Sequence, residues 1–217
     1  MLVYDRMSRH PITVSPDVPI DEALHIMRQN KVRRLPVVDK QGKLIGIVSE
    51  KDLLYASPSP ATSLSIHEIH YLVSKIKVAD VMTKEVITVG EYTPLEEAAR
   101  IMADHKIGGL PVVRDGALVG IITETDLFKI FLELLGAREE GVRLTMLIPE
   151  QPGTLASITR EIAAMGGNII ALGTFLGEDP TNRLITVKVA GVAQEELVSS
   201  MMALGMKIVD ARMCQRC

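Results

Sequence analysis

A hydroxyl and a carboxylate stand three residues apart twice in this chain: Ser49 and Asp52 in GIVSEKD, Thr123 and Asp126 in GIITETD. Two kinds of chemistry fit that spacing. At a helix start the hydroxyl caps the N3 amide while the carboxylate reaches back to the N-cap amide, a capping box. Glu or Gln usually stands at N3, whereas both copies here carry Asp. The second kind is ligand chemistry. A helix N-terminus offers unpaired N–H groups and the positive end of the dipole. A short carboxylate beside it can accept hydrogen bonds from vicinal sugar hydroxyls. A second set of groups precedes the two LPVV segments. Lys31, Arg33 and Arg34 stand before the first, and Lys106, Gly108 and Gly109 at the matching places before the second. Arginine forks suit phosphate oxygens; the alternative is that these two decorate an exposed strand end.

The elements that must position these groups come from an internal repeat. LPVV at 35–38 returns at 110–113, an offset of 75 shared by Met7 and Met82, by Ile12-Thr13-Val14 and Ile87-Thr88-Val89, and by Met27 and Met102. After LPVV the offset falls to 74, with Gly46 matching Gly120. The lost residue lies in a turn, DKQGKLIG against RDGALVG, where deletions are tolerated. Each copy reads as strand–helix–strand–strand–helix. Thr93-Pro94-Leu95-Glu96 offers an N-cap, a proline at N1 and a glutamate at N3. Leu95, Ala98, Ala99 and Met102 then share a helix face. The LPVV, LIGIV and LVGII strands are apolar at consecutive positions, so both faces should be covered. Between the copies, Ser65-Ile-His-Glu68 reads as a capping box opening a linker helix.

Two ordered copies of LPVV, of G-φ-φ-[ST]-x-x-D (φ apolar) and of M-x-x-x-φ-x-T-V resemble the tandem cystathionine-β-synthase (CBS) domain pair. The resemblance implies repeat 1 at 1–60, the linker helix at 61–78 and repeat 2 at 79–137. It implies an adenosyl ligand, AMP, ADP, ATP or S-adenosylmethionine, in the cleft between the repeats. Asp52 and Asp126 would take the ribose, with Ser49 and Thr123 beside them. Ile12, Thr13, Val14, Ile87, Thr88 and Val89 would enclose the adenine. Arg33, Arg34, Leu35 and Pro36 in one copy, and Gly109, Leu110 and Pro111 in the other, would complete the nucleotide sites. The two clefts are expected to differ, one taking the arginine charge and the other open beside Gly108-Gly109. The repeat alone does not tell which Asp meets the arginines.

From Arg143 the pattern changes. RLTMLIP alternates as a strand, and EQPGTLASITREIAAMGGNI turns at Pro152-Gly153, with Thr154 as a cap. Leu155, Ile158, Ile162 and Met165 fall at helical spacing, as do Leu197, Met201 and Leu204 further on. The order βαββαβ is a ferredoxin-like sheet backed by two helices. The fold class is therefore α/β in the broad sense, α+β in its last third. E-x-P-G-x-L, a helix and G-x-N-I resemble the ACT domain, here 142–217, a module that often binds amino acids. That resemblance implies a ligand at a dimer interface near Gln151, Pro152, Gly153, Thr154, Leu155, Asn168 and Ile169. The alternative is that these residues serve only the turn and the dimer. Sheet edges need partners, so a homodimer is expected.

Composition narrows the function classes. Trp is absent and aromatics make up 3%, so the cores should be aliphatic with Met as filler. Residues 1–141 hold 17 Lys+Arg against 20 Asp+Glu, and 142–217 hold seven of each. Neither part is a basic body, so no nucleic-acid partner is expected. No apolar run approaches the roughly 18 residues of a bilayer span, and MLVYDRMSRH has no signal-peptide core. With cysteines only at 214 and 217, the expectation is a cytoplasmic protein without disulfides or membrane partner. Cys214-Gln-Arg-Cys217 has no second pair to complete a zinc site, and His67 and His70 have no evident co-ligands, so no metal and no cofactor are expected. No acid/base pair, nucleophile–His arrangement or phosphate loop stands out. The reading is a regulatory small-molecule sensor rather than an enzyme. The combined architecture resembles bacterial acetoin-utilisation regulators, which implies a partner enzyme of acetyl-CoA metabolism. The competing reading is a ligand-free dimeric scaffold for a partner enzyme.

Overall fold

The computed structural model describes residues 1–57 and 73–215. The expected linker-helix start at Ser65, His67, His70 and Cys217 lie outside the described residues. Two compact units emerge, Met1–Leu127 and Phe128–Cys217, and each is taken by itself.

In the first unit the elements run α1 (Val3–Arg6), β1 (Ser8–Arg9), α2 (Ile20–Asn30), β2 (Arg34–Val38), β3 (Leu44–Ser49) and α3 (Glu50–Ala56). They repeat as α4 (Val78–Val81), β4 (Val89–Gly90), α5 (Leu95–His105), β5 (Gly109–Arg114), β6 (Ala117–Thr123) and α6 (Glu124–Leu134), the last crossing into the second unit. In each copy the LPVV strand pairs antiparallel with the next strand, Leu35 opposite Val48 and Leu110 opposite Ile122. An incoming extended segment adds in parallel, Val14 on Val37 in one copy and Val89 on Val112 in the other. Leu35, Pro36, Val37, Leu110, Pro111 and Val112 are all buried, as consecutive apolar positions require. The change of offset has a local cause. Copy two turns through Asp115 and Gly116, both at positive φ, the backbone of a two-residue hairpin. Copy one carries one residue more, and Asp39 Oδ1 accepts from Gln41 N and Lys43 N at 2.9 Å each.

The two copies exchange their leading segments. Ser8 and Arg9, ahead of copy one, pair with Ile121 and Gly120 of copy two. Thr83, ahead of copy two, bridges to Ile47 of copy one. Helix α1 donates from Val3 to Thr93 O and from Tyr4 to Glu91 O, whereas α4 donates from Val78 to Val18 O and from Ala79 to Pro16 O. Val78 lies in the copy-one core with Val14, Ile20, Met27, Leu35 and Leu53. The glycine of G-φ-φ-[ST] follows from this exchange. A Cβ at Gly46 would come 2.5 Å from Met82 Sδ, and one at Gly120 equally close to Met7 Sδ. The methionine of each leader thus occupies the room left by the other copy's glycine.

The predicted cap at Thr93 is not what forms. Pro94 is the N-cap of α5, with no side-chain cap bond, and α2 likewise starts after Pro19. Proline fixes the extended φ that an N-cap needs and here occupies that place itself. Both helices end on a lysine in the left-handed region, Lys31 and Lys106, each at φ 54°. That conformation costs a non-glycine residue about 1–2 kcal/mol.

In the second unit β7 (Gly141–Pro149), α7 (Thr154–Ala164), β8 (Asn168–Leu176), β9 (Asn182–Ala190), α8 (Gln194–Ala203) and β10 (Lys207–Cys214) form an antiparallel sheet of order β10-β7-β9-β8 with two helices. Its core joins Val142, Leu144, Met146 and Ile148 to Ile158, Ile162, Leu197 and Met201. Three details depart from the helical pattern. Leu155 and Leu204 are exposed at the helix ends. Gly153, at φ 90°, is the N-cap of α7, and Thr154 Oγ1 donates back to Gln151 O at 3.1 Å instead of capping. The α6–β7 connection packs on this sheet: the buried Lys188 Nζ donates to Gly136 O at 2.9 Å.

Candidate functional site

Both Ser/Thr–Asp pairs sit where β3 and β6 run into α3 and α6. The first forms the full capping box. Ser49 N donates to Asp52 Oδ2 at 2.8 Å, Ser49 Oγ to the same oxygen at 2.6 Å, and Asp52 N to Ser49 Oγ at 3.3 Å. In the second, Thr123 N and Oγ1 donate to Asp126 Oδ2 at 3.0 and 2.8 Å. In Asp52 a single oxygen does this work. Its Oδ1 accepts no hydrogen bond among the described residues.

Each pair opens into a cleft built across the two copies. A cleft of about 560 Å³ is lined by Ser49 and Asp52 with Ile47, Glu50 and Lys51 of copy one. The exchanged leader of copy two closes it with Thr83, Glu85, Val86 and Ile87, and Lys106 to Gly109 form a further wall. A cleft of about 290 Å³ is its counterpart. Thr123, Thr125, Asp126 and Ile121 face Ser8, Arg9, His10, Pro11 and Ile12 of the copy-one leader, with Lys31 to Arg34 as the matching wall. The expectation that one cleft takes the arginine charge is not met. Arg33 and Arg34 line the Asp126 cleft and the Asp52 cleft alike, because their segment lies between the two, whereas Gly108 and Gly109 line the Asp52 cleft.

Of the residues named from sequence, Ser49, Asp52, Arg33, Arg34, Ile87 and Gly109 meet in one cleft, and Ile12, Arg33, Arg34, Thr123 and Asp126 in the other. Leu35, Pro36, Leu110, Pro111, Val14 and Val89 are buried beneath, where their side chains hold the strands. Thr13 is exposed and Thr88 half-buried, and neither lines a cleft. The leaders Ser8–Pro11 and Thr83–Val86 were missed as lining. They share the 75-residue offset, but only strand exchange brings them to the site.

The charges differ. Arg9, Lys31, Arg33 and Arg34 face one carboxylate, Asp126, in the smaller cleft. In the larger one Arg33, Arg34, Lys51 and Lys106 face three, Glu50, Asp52 and Glu85. Arg34 lies across Gly108, where a side chain would overlap its guanidinium. Burial draws the Arg34 pKa below its ordinary value, Glu124 and Asp52 oppose that, and Arg33 adds to it. Arginine nevertheless stays charged in a folded protein.

In the second unit Gln151, Pro152, Gly153, Leu155 and Asn168 are exposed, with Thr154 and Ile169 half-buried. They line none of the clefts above. Among the described residues no three His, Cys, Asp or Glu side chains gather as a metal site, and no helix is long and apolar enough to cross a membrane.

Paired βαββα halves that lend each other a strand and enclose two clefts, followed by a ferredoxin-like sheet, define a tandem ligand-sensing module joined to a small regulatory domain. The chain belongs to the CBS domain family, whose model matches residues 3–59 and 78–133, and it carries a TTHA0829-like ACT domain at 140–212. It is similar to a Vibrio cholerae chain named for acetoin utilization (AcuB), with 38% identity and a TM-score of 0.53 over 63% of this chain and 93% of that one. It resembles the CBS domain pair of protein MJ0100 in complex with 5′-methylthioadenosine and S-adenosyl-L-methionine, with 33% identity and a TM-score of 0.51 over 64% and 98%. It also resembles CBSX2 in complex with AMP, with 36% identity and a TM-score of 0.50 over 60% and 96%.

Proposed function

We propose that the CBS pair is a regulatory sensor of adenosyl nucleotides, with a ligand site in each cleft and no catalytic role. The observation that carries this reading is the spare Asp52 oxygen. Oδ2 closes the helix cap, while Oδ1, unbonded among the described residues, belongs to a side chain in the wall of the 560 Å³ cleft. Such an oxygen suits vicinal ribose hydroxyls. Asp126, at the matching position in the wall of the smaller cleft, is the ribose candidate there. Val86, Ile87 and Ile107 offer apolar surface to a purine on one side, as Ile12 and Val32 do on the other. The excess of cations around Asp126 favours a phosphate-bearing ligand there. Glu50 and Glu85 make the Asp52 cleft better suited to a less anionic adenosyl compound such as S-adenosylmethionine. The ligands held by the MJ0100 pair and by CBSX2 support the class.

Regulation follows from linkage: a ligand shifts the arrangement of the repeats only by its differential affinity, typically about 1–3 kcal/mol. The ACT turn at Gln151–Leu155, with Asn168 and Ile169, is proposed to serve a homodimer, with an amino acid bound between copies. Control of a partner enzyme of acetyl-CoA metabolism, in acetoin utilisation, is supported by the likeness to the Vibrio cholerae chain alone. Thermal unfolding with AMP, ATP and S-adenosylmethionine tests the central reading. A ligand at 100 times its Kd should stabilise the protein by about 2.7 kcal/mol. No shift with any of the three would instead favour the ligand-free scaffold.

A further inference from the structure

The two clefts share a wall in which Arg33 and Arg34 both stand, Arg33 exposed and Arg34 half-buried over copy two. Arg34 borders the Asp52 cleft and the Asp126 cleft alike. Its place depends on the one point where the copies differ most. The residue matching Arg34 in copy two is Gly109, so the pair of clefts has one such guanidinium instead of two. Gly108, which lacks a side chain, lets that guanidinium lie over copy two, beside the Glu124 carboxylate at the start of α6. Half-buried there, the guanidinium donates no hydrogen bond among the described residues, and its interactions with Glu124 and Asp52 are electrostatic. Its five donors neighbour the Glu124 carboxylate without a hydrogen bond to it, which leaves them able to turn to a phosphate. A guanidinium fork is planar and engages one phosphate with both prongs at a time.

We infer that Arg34 couples the two clefts by competition. A phosphate-bearing nucleotide in either cleft draws the guanidinium to itself and withdraws it from the other, so the first ligand weakens the second. An uncharged nucleoside has no claim on Arg34 and binds the clefts independently. This rests on the adenosyl reading above. The coupling is reciprocal, as any linkage between binding sites must be.

Calorimetry with AMP and with adenosine tests it in a cycle. Asp52→Asn and Asp126→Asn each disable one cleft while keeping an oxygen for the helix cap, so that each remaining cleft is titrated alone. The product of the two single-cleft constants is then compared with the wild-type product. For AMP, wild type should bind both ligands together roughly 5- to 150-fold more weakly than that product, the range usual for coupled sites. For adenosine the two products should agree. The same cycle carried out in an Arg34→Ala background should bring the AMP products into agreement. Arg33→Ala, as a second variant from the same wall, should weaken AMP binding and retain the discrepancy. An AMP discrepancy that survives Arg34→Ala, or one equally large for adenosine, would overturn the competition and leave the sensor reading standing. Absence of heat with both probes in wild type would overturn both.

Discussion

The two copies of the repeat have the same backbone and unlike walls. Strand pairing, the exchanged leader, the lysine that ends the long helix and the Asp-capped helix recur element by element. The copies part at Arg33-Arg34 against Gly108-Gly109, and at His10 against Glu85. Positions that build the scaffold therefore repeat, whereas positions that would meet a ligand's charged end do not. The lesson is that duplication supplied a symmetric frame and that specificity resides in the few places where the symmetry is broken.

That comparison can be broken by paired substitutions. Leu35→Ala and Leu110→Ala remove equivalent, fully buried side chains, and each should cost about 2–5 kcal/mol in denaturant unfolding. A cost for one several times that of the other would mean that the two bodies are not energetic equivalents. Gly46→Val and Gly120→Val drive a side chain into Met82 and Met7, with an expected loss of about 1–3 kcal/mol each. Shortening the facing methionine to Ala should relieve part of that loss if the exchanged leader is the cause. Ser49→Ala should cost about 1 kcal/mol as a lost cap, and Thr123→Ala should cost less, because the Thr123 hydroxyl donates to Asp126 where the Ser49 hydroxyl also accepts from the Asp52 amide. An undiminished stability in both would show that the carboxylates alone hold the helix starts.

A smaller and asymmetric effect is expected in acid. The buried Glu91 carboxylate receives Arg114 Nε and Nη2 at 2.6 and 2.5 Å, and this pairing holds its pKa below the ordinary carboxylate range. A depressed folded pKa contributes stability at neutral pH that is lost as the pH falls through that value. The matching residue in copy one is Pro16, so the loss belongs to copy two. Melting of wild type and Glu91→Gln between neutral pH and pH 3 should show a gap that narrows on acidification. A constant gap would remove this pairing as the source. The least effect should come from Gly108→Ala: the groups it meets are the movable ends of Arg34 and Glu124. Stability should change by about 0.5 kcal/mol, the scale of substitutions that disturb no fixed contact, while AMP affinity shifts.

Much of this was legible because it is coded locally. LPVV with its flanking turns announces a covered strand, and the Ser–Asp and Thr–Asp spacing announces a helix start. Both follow from interactions within a few residues. The misreadings at Thr93 and Thr154 are also local, places where Pro94 and Gly153 took the N-cap by backbone preference. Leu155 and Leu204 kept the helical period yet lie at helix ends beyond the reach of the sheet. The missed cleft residues differ in kind. Ser8–Pro11 and Thr83–Val86 carry no local sign of a site, since their partners lie in the other copy.

By itself, then, the sequence determined the duplicated units, their helix caps and the four-stranded C-terminal sheet, because hydrophobic period and capping chemistry act over short stretches of chain. Tertiary structure alone decided that each leader joins the opposite copy and that Arg33 and Arg34 stand between the Asp52 and Asp126 clefts and line both. Those outcomes depend on which distant strand completes which sheet, a choice made by burial and hydrogen bonding across more than thirty residues of intervening chain.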